Sequence, residues 1–398
     1  MGSKAKLAVG LDLGAASTRV VICALEGDAV RFLGYGEAPV EAWNRSRLAD
    51  QGALTQSIRF ALHEAEARAQ ASPEAAVIGI GGGVTGMNSR GLYEFGRRRE
   101  IEPDDLRYAV ELGARVRLDQ DRLVLQICPQ DFTLDGRAGY RNPKGILCAR
   151  LEANIHVVTA PVQDHQGIVS AVHQAHLAVE ESIFEGIAAA YAAVLPEDRA
   201  RGVAVIDIGA QSTHAAVYEG DALLLAATLA MGGEHFTRDV SWLLKVNYED
   251  AESLKREYGC AQTGLAPEHS VLEIPSAEGR GMREAPRSQL NEILEARAED
   301  LFERIYSEIQ RIGMEQSLLE GAILTGGGAL LAGMCDVAER VLNCQARNGL
   351  AAGIDKWPSE LDTPVWTTAA GLAMYAGRLK LKRDWKKTSS ALAAVISK

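Results

Sequence analysis

Two short apolar runs, residues 6–11 and 202–206, lead into the same polar turn. The first continues Asp12-Leu13-Gly14-Ala15-Ala16-Ser17-Thr18 and the second Asp207-Ile208-Gly209-Ala210-Gln211-Ser212-Thr213. Each then enters a further apolar stretch that stops at Glu-Gly-Asp, at Glu26-Gly27-Asp28 and at Glu219-Gly220-Asp221. The pattern predicts two strand–turn–strand hairpins, each bent back by a glycine-containing turn. The copies lie too far apart for a solenoid repeat and point to a duplicated domain.

The same reading places a third strand near 30–35, a helix over 51–69 and a buried strand over 76–80. Between 83 and 159 the pattern changes to a helix around 103–117 and short strands at 123–128 and 151–159. This stretch, about 84–160, is expected to be an inserted subdomain. A helix over 164–179 and an apolar element over 183–195 follow. The turn-prone Pro196-Glu197-Asp198-Arg199 sets the boundary between a first domain, 1–198, and a second, 199–377. In the second half a helix begins near Glu234, and 259–286 is polar and rich in Gly and Pro. An amphipathic helix covers 289–312, with Leu290, Ile293, Leu294, Leu301, Phe302, Ile305 and Ile309 at helical spacing. A strand over 322–325 runs into Gly326-Gly327-Gly328. Strands alternating with helices in two related halves predict an α/β architecture with a central cleft.

Composition narrows the function. The chain has 398 residues, 47% hydrophobic, enough for two sizeable cores. A net charge of −11 argues against a nucleic-acid partner. The six Cys include no Cys-x-x-Cys pair, so neither a disulfide framework nor a zinc site is expected. No run approaches the ~20 apolar residues of a spanning helix.

Asp12 and Asp207 stand at the ends of apolar strands, where an unpaired carboxylate is costly. Together they suit Mg²⁺ held through water, since that ion keeps several waters and takes few carboxylates. Gly14 and Gly209 let backbone N–H groups approach phosphate oxygens, and Ser17, Thr18, Ser212 and Thr213 add hydroxyl donors. One such loop is usually an Asx turn; two in register point to a nucleotide cleft. Gly326-Gly327-Gly328 could wall a nucleoside or be a structural turn. Gly232-Gly233, opening a helix before Glu234, has the same two readings. Glu185 precedes a small-residue helix and could orient a water or simply favour the helix start. His173 and His176 read as surface histidines.

The tail, 378–398, carries seven basic residues against one acid. On a helix Leu381, Trp385, Leu392 and Ile396 form one stripe with Val395 beside it. This could be an interfacial membrane anchor, a solvated tail or a helix docked on the body.

These motifs, in this order, resemble the actin, heat-shock-chaperone and sugar-kinase superfamily. The ordered set is 12–19 as first phosphate loop, 185–191 as connecting helix, 207–214 as second phosphate loop and 324–328 as adenosine loop. Longer stretches resemble the FtsA family of bacterial division proteins: Val124-Leu125-Gln126-Ile127-Cys128-Pro129-Gln130-Asp131-Phe132, Arg141-Asn142-Pro143-Lys144-Gly145 and residues 254–261. The resemblance implies an actin-like, ribonuclease H-like duplicated fold with an FtsA-type insert, ATP with Mg²⁺ in the cleft, and self-assembly into protofilaments. It also implies FtsZ and other divisome proteins as partners, with FtsZ contacted by a subdomain over about 232–320. The location would be the cytoplasmic face of the inner membrane, peripheral, on an anionic lipid surface. Glu252, Lys255 and Arg256 fall where relatives line the adenosine pocket, Arg19 where they place a cation on the phosphates, and His214 where it would help order the lytic water. Ala15, Ala16, Ala210 and Gln211 depart from the family pattern and leave hydrolysis slow at most. A PilM-type pilus scaffold is the rival within the fold. A small-molecule kinase of the same superfamily is the rival from a different functional class, and a nucleotide-binding scaffold without turnover is a third.

Overall fold

A computed structural model describes residues 6–265, 270–275 and 281–396, as backbone alone at 265 and from 383 onward. The first half opens with β1 (Leu7–Leu13), β2 (Ser17–Glu26), β3 (Ala29–Pro39), a small hairpin of β4 (Trp43–Asn44) and β5 (Arg47–Leu48), α1 (Gln51–Ala69) and β6 (Ala75–Ile80). The chain then forms β7 (Thr85–Glu100), α2 (Pro103–Ala114), β8 (Arg122–Leu134), β9 (Arg137–Tyr140) and β10 (Leu147–Pro161). It returns through α3 (Val162–Gln174), β11 (Ala178–Phe184) and α4 (Glu185–Ala193), and α5 (Pro196–Ala200) leads out. The second half has β12 (Val203–Ile208), β13 (Thr213–Glu219), β14 (Ala222–Leu229), α6 (Gly233–Leu244), α7 (Tyr248–Tyr258), β15 (Val271–Pro275), β16 (Met282–Pro286) and α8 (Arg287–Arg311). It ends with β17 (Ala322–Thr325), α9 (Met334–Leu342), β18 (Ala346–Asn348) and α10 (Thr367–Ile396).

The duplication is explicit in the sheets. The first runs β3-β2-β1-β6-β11, and the second contains the same order, β14-β13-β12-β17-β18. Asp12 sits opposite Arg19 and Asp207 opposite His214, so the two hairpins share one register. Both turn at a left-handed glycine, Gly27 at φ 62° and Gly220 at φ 57°. Beyond β14 the second sheet continues into the insert, β7-β10-β8-β9. The stitch is one pair, Ala227 with Thr85, reinforced by Thr228 N–H donating to the Val84 carbonyl at 3.1 Å.

Three differences from the sequence reading have physical causes. The expected helix over 164–179 ends at Gln174, because His176 turns left-handed at φ 63° and releases the chain into β11. The sixteen-residue β7 was not expected; its mixed, largely exposed residues give no clean alternation. The third concerns the domains. Residues from Ile354 into α10, assigned to the second half by the reading of 199–377, pack on the first: Trp366, Ala369, Leu372 and Ala373 cover Ala8, Val21, Cys23 and Val77. The fit with α4 is tight, since a Cβ on Gly371 would lie 1.8 Å from the Ala188 carbonyl oxygen. Backbone helix then continues to Ile396. Arg378 donates to the Tyr191 hydroxyl and Lys380 to the Leu7 carbonyl, and Leu381 is half-buried. The side chains of Trp385, Leu392, Val395 and Ile396 lie outside the described residues. No described helix is long and apolar enough to cross a membrane.

Candidate functional site

Strand alternation decides which side chains reach the cleft. On β1 and β2, Leu11, Leu13, Val20 and Ile22 face one core, so Asp12, Ser17 and Arg19 face the other way. Asp12 and Asp207, each about 93% buried, therefore end their strands on the side where the halves meet. Between them lie Glu185, first residue of α4, and His214, both buried.

His214 Nε2 is 2.9 Å from Glu185 Oε2 and 3.3 Å from Ser212 Oγ. Its Nδ1 is 3.1 Å from Thr228 Oγ1, whose own hydroxyl donates to the Gly81 carbonyl at 2.8 Å. That hydroxyl has one proton, already directed at Gly81, so Nδ1 must donate to it. Nε2 facing a carboxylate then makes the ring an imidazolium. Burial alone would disfavour that charge, but Glu185, Asp207 and Asp12 outweigh it and raise the His214 pKa. Asp12 is pushed up to about 8 by burial first and then by Glu185, with Asp207 adding to the rise and Arg19 opposing it. Burial also raises Asp207, whose Oδ2 accepts a hydrogen bond from Thr368 Oγ1 at 2.7 Å.

Three buried acids face two cations, and one of these is shared. Arg19 lies 3.8 Å from Asp12 but 2.8 Å from Glu37, with its guanidinium over the Trp366 ring. The cluster is short of positive charge, which suits a cation. Among the described residues no three ligating side chains converge to chelate a metal directly. Ser17 Oγ, on the same strand face as Arg19, is buried without a partner and is a donor available to an oxyanion. The donor set thus fits a metal-bound polyphosphate held largely through water and backbone.

The other sequence candidates divide. Gly14 and Gly209 occupy equivalent places, each packed against the carbonyl of the loop's Ser, Ser17 or Ser212. Thr18 and Thr213 do not reach the cleft. They are fully buried on the opposite strand face, and Thr213 donates to the Met231 carbonyl at 2.7 Å. Gly232 and Gly233 dock the start of α6 on the second loop: Gly233 N–H donates to the Gly209 carbonyl and Glu234 N–H to that of Ala210. Lys255 Nζ spends its donors on Glu252, Thr237 and the Gly233 carbonyl, which ties α7 to α6. Burial would raise Glu252, but bonds from Lys255 and Thr237 prevail and lower it. Arg256 is exposed and acts on Glu252 only through its field. Gly326, at φ 77°, has no room for a Cβ, which would lie 2.4 Å from Asp207 Oδ1, whereas Gly327 faces open space. Sequence reasoning missed Thr368 and Thr228, whose roles depend on distant partners. It also missed Gly81, wedged between Glu185 and His214; the run Gly81-Gly82-Gly83 was the available signal.

Residues 204–371 match the family described as "Cell division protein FtsA", and residues 81–159 match "SHS2 domain inserted in FTSA". The cell division protein FtsA of Pseudomonas aeruginosa is 30% identical, covering 93% of this chain and 89% of the relative. That of Escherichia coli K12 is 28% identical over 98% of this chain and 95% of its own length. Among solved structures, the PilM-PilN type IV pilus biogenesis complex is similar with a TM-score of 0.66, at 19% identity over 93% of this chain and 98% of that one. MreB5 of Spiroplasma citri bound to AMPPNP is similar with a TM-score of 0.57, at 12% identity over 96% and 99%. At such identities these two structures establish the actin-like fold.

Proposed function

The chain belongs to the FtsA family of bacterial cell-division proteins, and from that premise we propose that it binds ATP between its halves, polymerises and ties FtsZ filaments to the inner membrane. The observation that carries the nucleotide reading is the buried quartet Asp12, Glu185, Asp207 and His214, drawn from both halves. Asp12 and Asp207 would hold Mg²⁺ through its waters. The metal, when bound, neutralises phosphate charge. Ser17, Ser212 and the backbone at Gly14 and Gly209 would orient the phosphates, with Arg19 adding charge, while Gly326, Gly327 and Gly328 would wall the nucleoside. Glu252 and Lys255 would flank it, with Arg256 nearby.

Turnover is slow at most. Glu185 Oε2 is already engaged by His214 Nε2 at 2.9 Å, so less of its carboxylate is free to meet an attacking water. ATP would draw the halves together, and the closed form would favour contacts between copies.

FtsZ would dock in the region of 232–320. An exposed apolar face supports this: Trp242 is 79% and Leu243 47% exposed near the end of α6. The insert would serve self-assembly and other divisome proteins. The basic end of α10 would meet anionic lipid at the cytoplasmic face.

Titration of purified protein with ATP, with and without Mg²⁺, tests the cleft; no metal-dependent binding sinks it. Co-sedimentation with FtsZ, compared with binding of a pilus-protein peptide, tests the division reading, which the family match favours. Filaments on anionic lipid monolayers that form only with ATP would support nucleotide-linked assembly.

A further inference from the structure

We propose that Gln211 is a latch, fastening the second phosphate loop to the β4–β5 hairpin of the first half and gating nucleotide exchange at that end of the cleft. The inference rests on the nucleotide reading of the cleft and deepens it. Ser46 N–H donates to Gln211 Oε1 at 2.8 Å, and Ser46 Oγ donates to the Gln211 carbonyl at 3.1 Å. Gln211 Nε2 donates to Glu234 Oε1 at 2.9 Å, with the Trp43 carbonyl 3.4 Å away. Residues far apart in sequence thus join the two halves through one residue, by its side chain and its carbonyl.

The hairpin is shaped for this contact. Arg45 and Ser46 are both left-handed, at φ 51° and 62°, which makes the tight two-residue turn that presents Ser46 to the second half. Behind it, the Ser46 carbonyl packs on Gly82, where a Cβ would lie 2.2 Å away. The neighbouring Gly81 touches Glu185 and His214, so the hairpin stands one residue from the buried quartet. An amide is the group that accepts from Ser46 N–H and donates to Glu234 at once; alanine does neither, and a carboxylate would face Glu234 as a like charge. The second loop is therefore held in place before any ligand arrives, a preorganisation that favours affinity. A nucleotide entering or leaving past the hairpin must break these bonds.

The test is stopped-flow exchange of a fluorescent ATP analogue on the full-length protein with Mg²⁺. Gln211→Ala is expected to raise the dissociation rate about tenfold, as loss of the side chain's bonds to Ser46 N–H and the Trp43 carbonyl implies. Association should rise with it, so that Kd moves less than either rate. Ser46→Gly keeps the N–H and the left-handed turn but loses the hydroxyl. It should give a smaller rise, and since alanine keeps the Gln211 carbonyl to which Ser46 Oγ donates, the double variant should exceed Gln211→Ala alone. Unchanged rates in Gln211→Ala would overturn the latch. If the wild type binds no analogue, the nucleotide reading fails and the latch with it. Hydrogen exchange needs no variant: a Ser46 amide protected in the wild type supports the latch, and one exchanging freely overturns it.

Discussion

His214 and Glu185 face each other at 2.9 Å from opposite halves of the molecule, on strand β13 and on the first turn of α4. The contact joins the halves through a charge that depends on pH. The His214 pKa is raised in the fold, so its stabilising effect is complete below the unfolded histidine value, ~6.5, and is lost as pH rises through the folded value. Glu185→Gln should lower the His214 midpoint, read by NMR of the imidazole. It should also lower stability most below pH ~6.5. An unmoved midpoint would show that the pair does not set the charge.

Asp12 gives a dependence of the same sign from a lower starting pH. Its carboxyl ionises near 3.8 when exposed but at about 8 in the fold, so the unfolded state sheds its proton first. Stability of the nucleotide-free protein should fall as pH rises from about 4 to 8 and then level off. Asp12→Asn should flatten that slope and raise Tm at pH 8 far more than at pH 5. In ATP and Mg²⁺ titrations, Asp12→Ala combined with Asp207→Ala should abolish binding. Retained binding would refute the site.

The glycine turn after β17 offers a paired comparison. Gly326→Ala puts a Cβ on a left-handed residue against Asp207 and should cost ~1–3 kcal/mol in denaturant unfolding. Gly327→Ala meets open space and should leave stability within ~0.5 kcal/mol. Equal losses would mean that the turn is not what holds Asp207.

The tail can be tested without harming the body. Ending the chain after Lys382 keeps the contacts of Arg378 with Tyr191 and of Lys380 with Leu7 and Glu180. That variant should retain its Tm and ATP binding but fail to float with anionic liposomes. Ending at Gly377 should lower Tm as well. Flotation equal to full length would remove the anchor.

Much of this was legible in the sequence because it is local. The twin hairpins announce themselves as apolar runs broken by Asp-x-Gly, and α8 by its helical spacing; it was expected over 289–312 and spans Arg287–Arg311. The period-two rule also turns Thr18 and Thr213 away from the cleft, opposite to Arg19 and His214. What stayed hidden depends on distant partners. Thr368 bonds Asp207 across 161 positions and Ser46 meets Gln211 across 165, and neither residue carries a local sign of its role. The return of α10 was hidden for the same reason, since its small apolar face fits either half equally well by pattern.

The last helix covering the first strands also fixes an order of events during synthesis. The second half has a core drawn from residues 204–342, complete while α10 is still inside the ribosome. Ala8, Val21, Cys23 and Val77 emerge early yet gain their cover only when Ala369, Leu372 and Ala373 follow. At ~5–20 residues per second that wait lasts tens of seconds. The beginning of the polypeptide is thus the part that matures last, with an oily sheet face bare in the meantime. A premature stop in the first turn of α10, before Ala369, would therefore injure the domain built from the earliest strands.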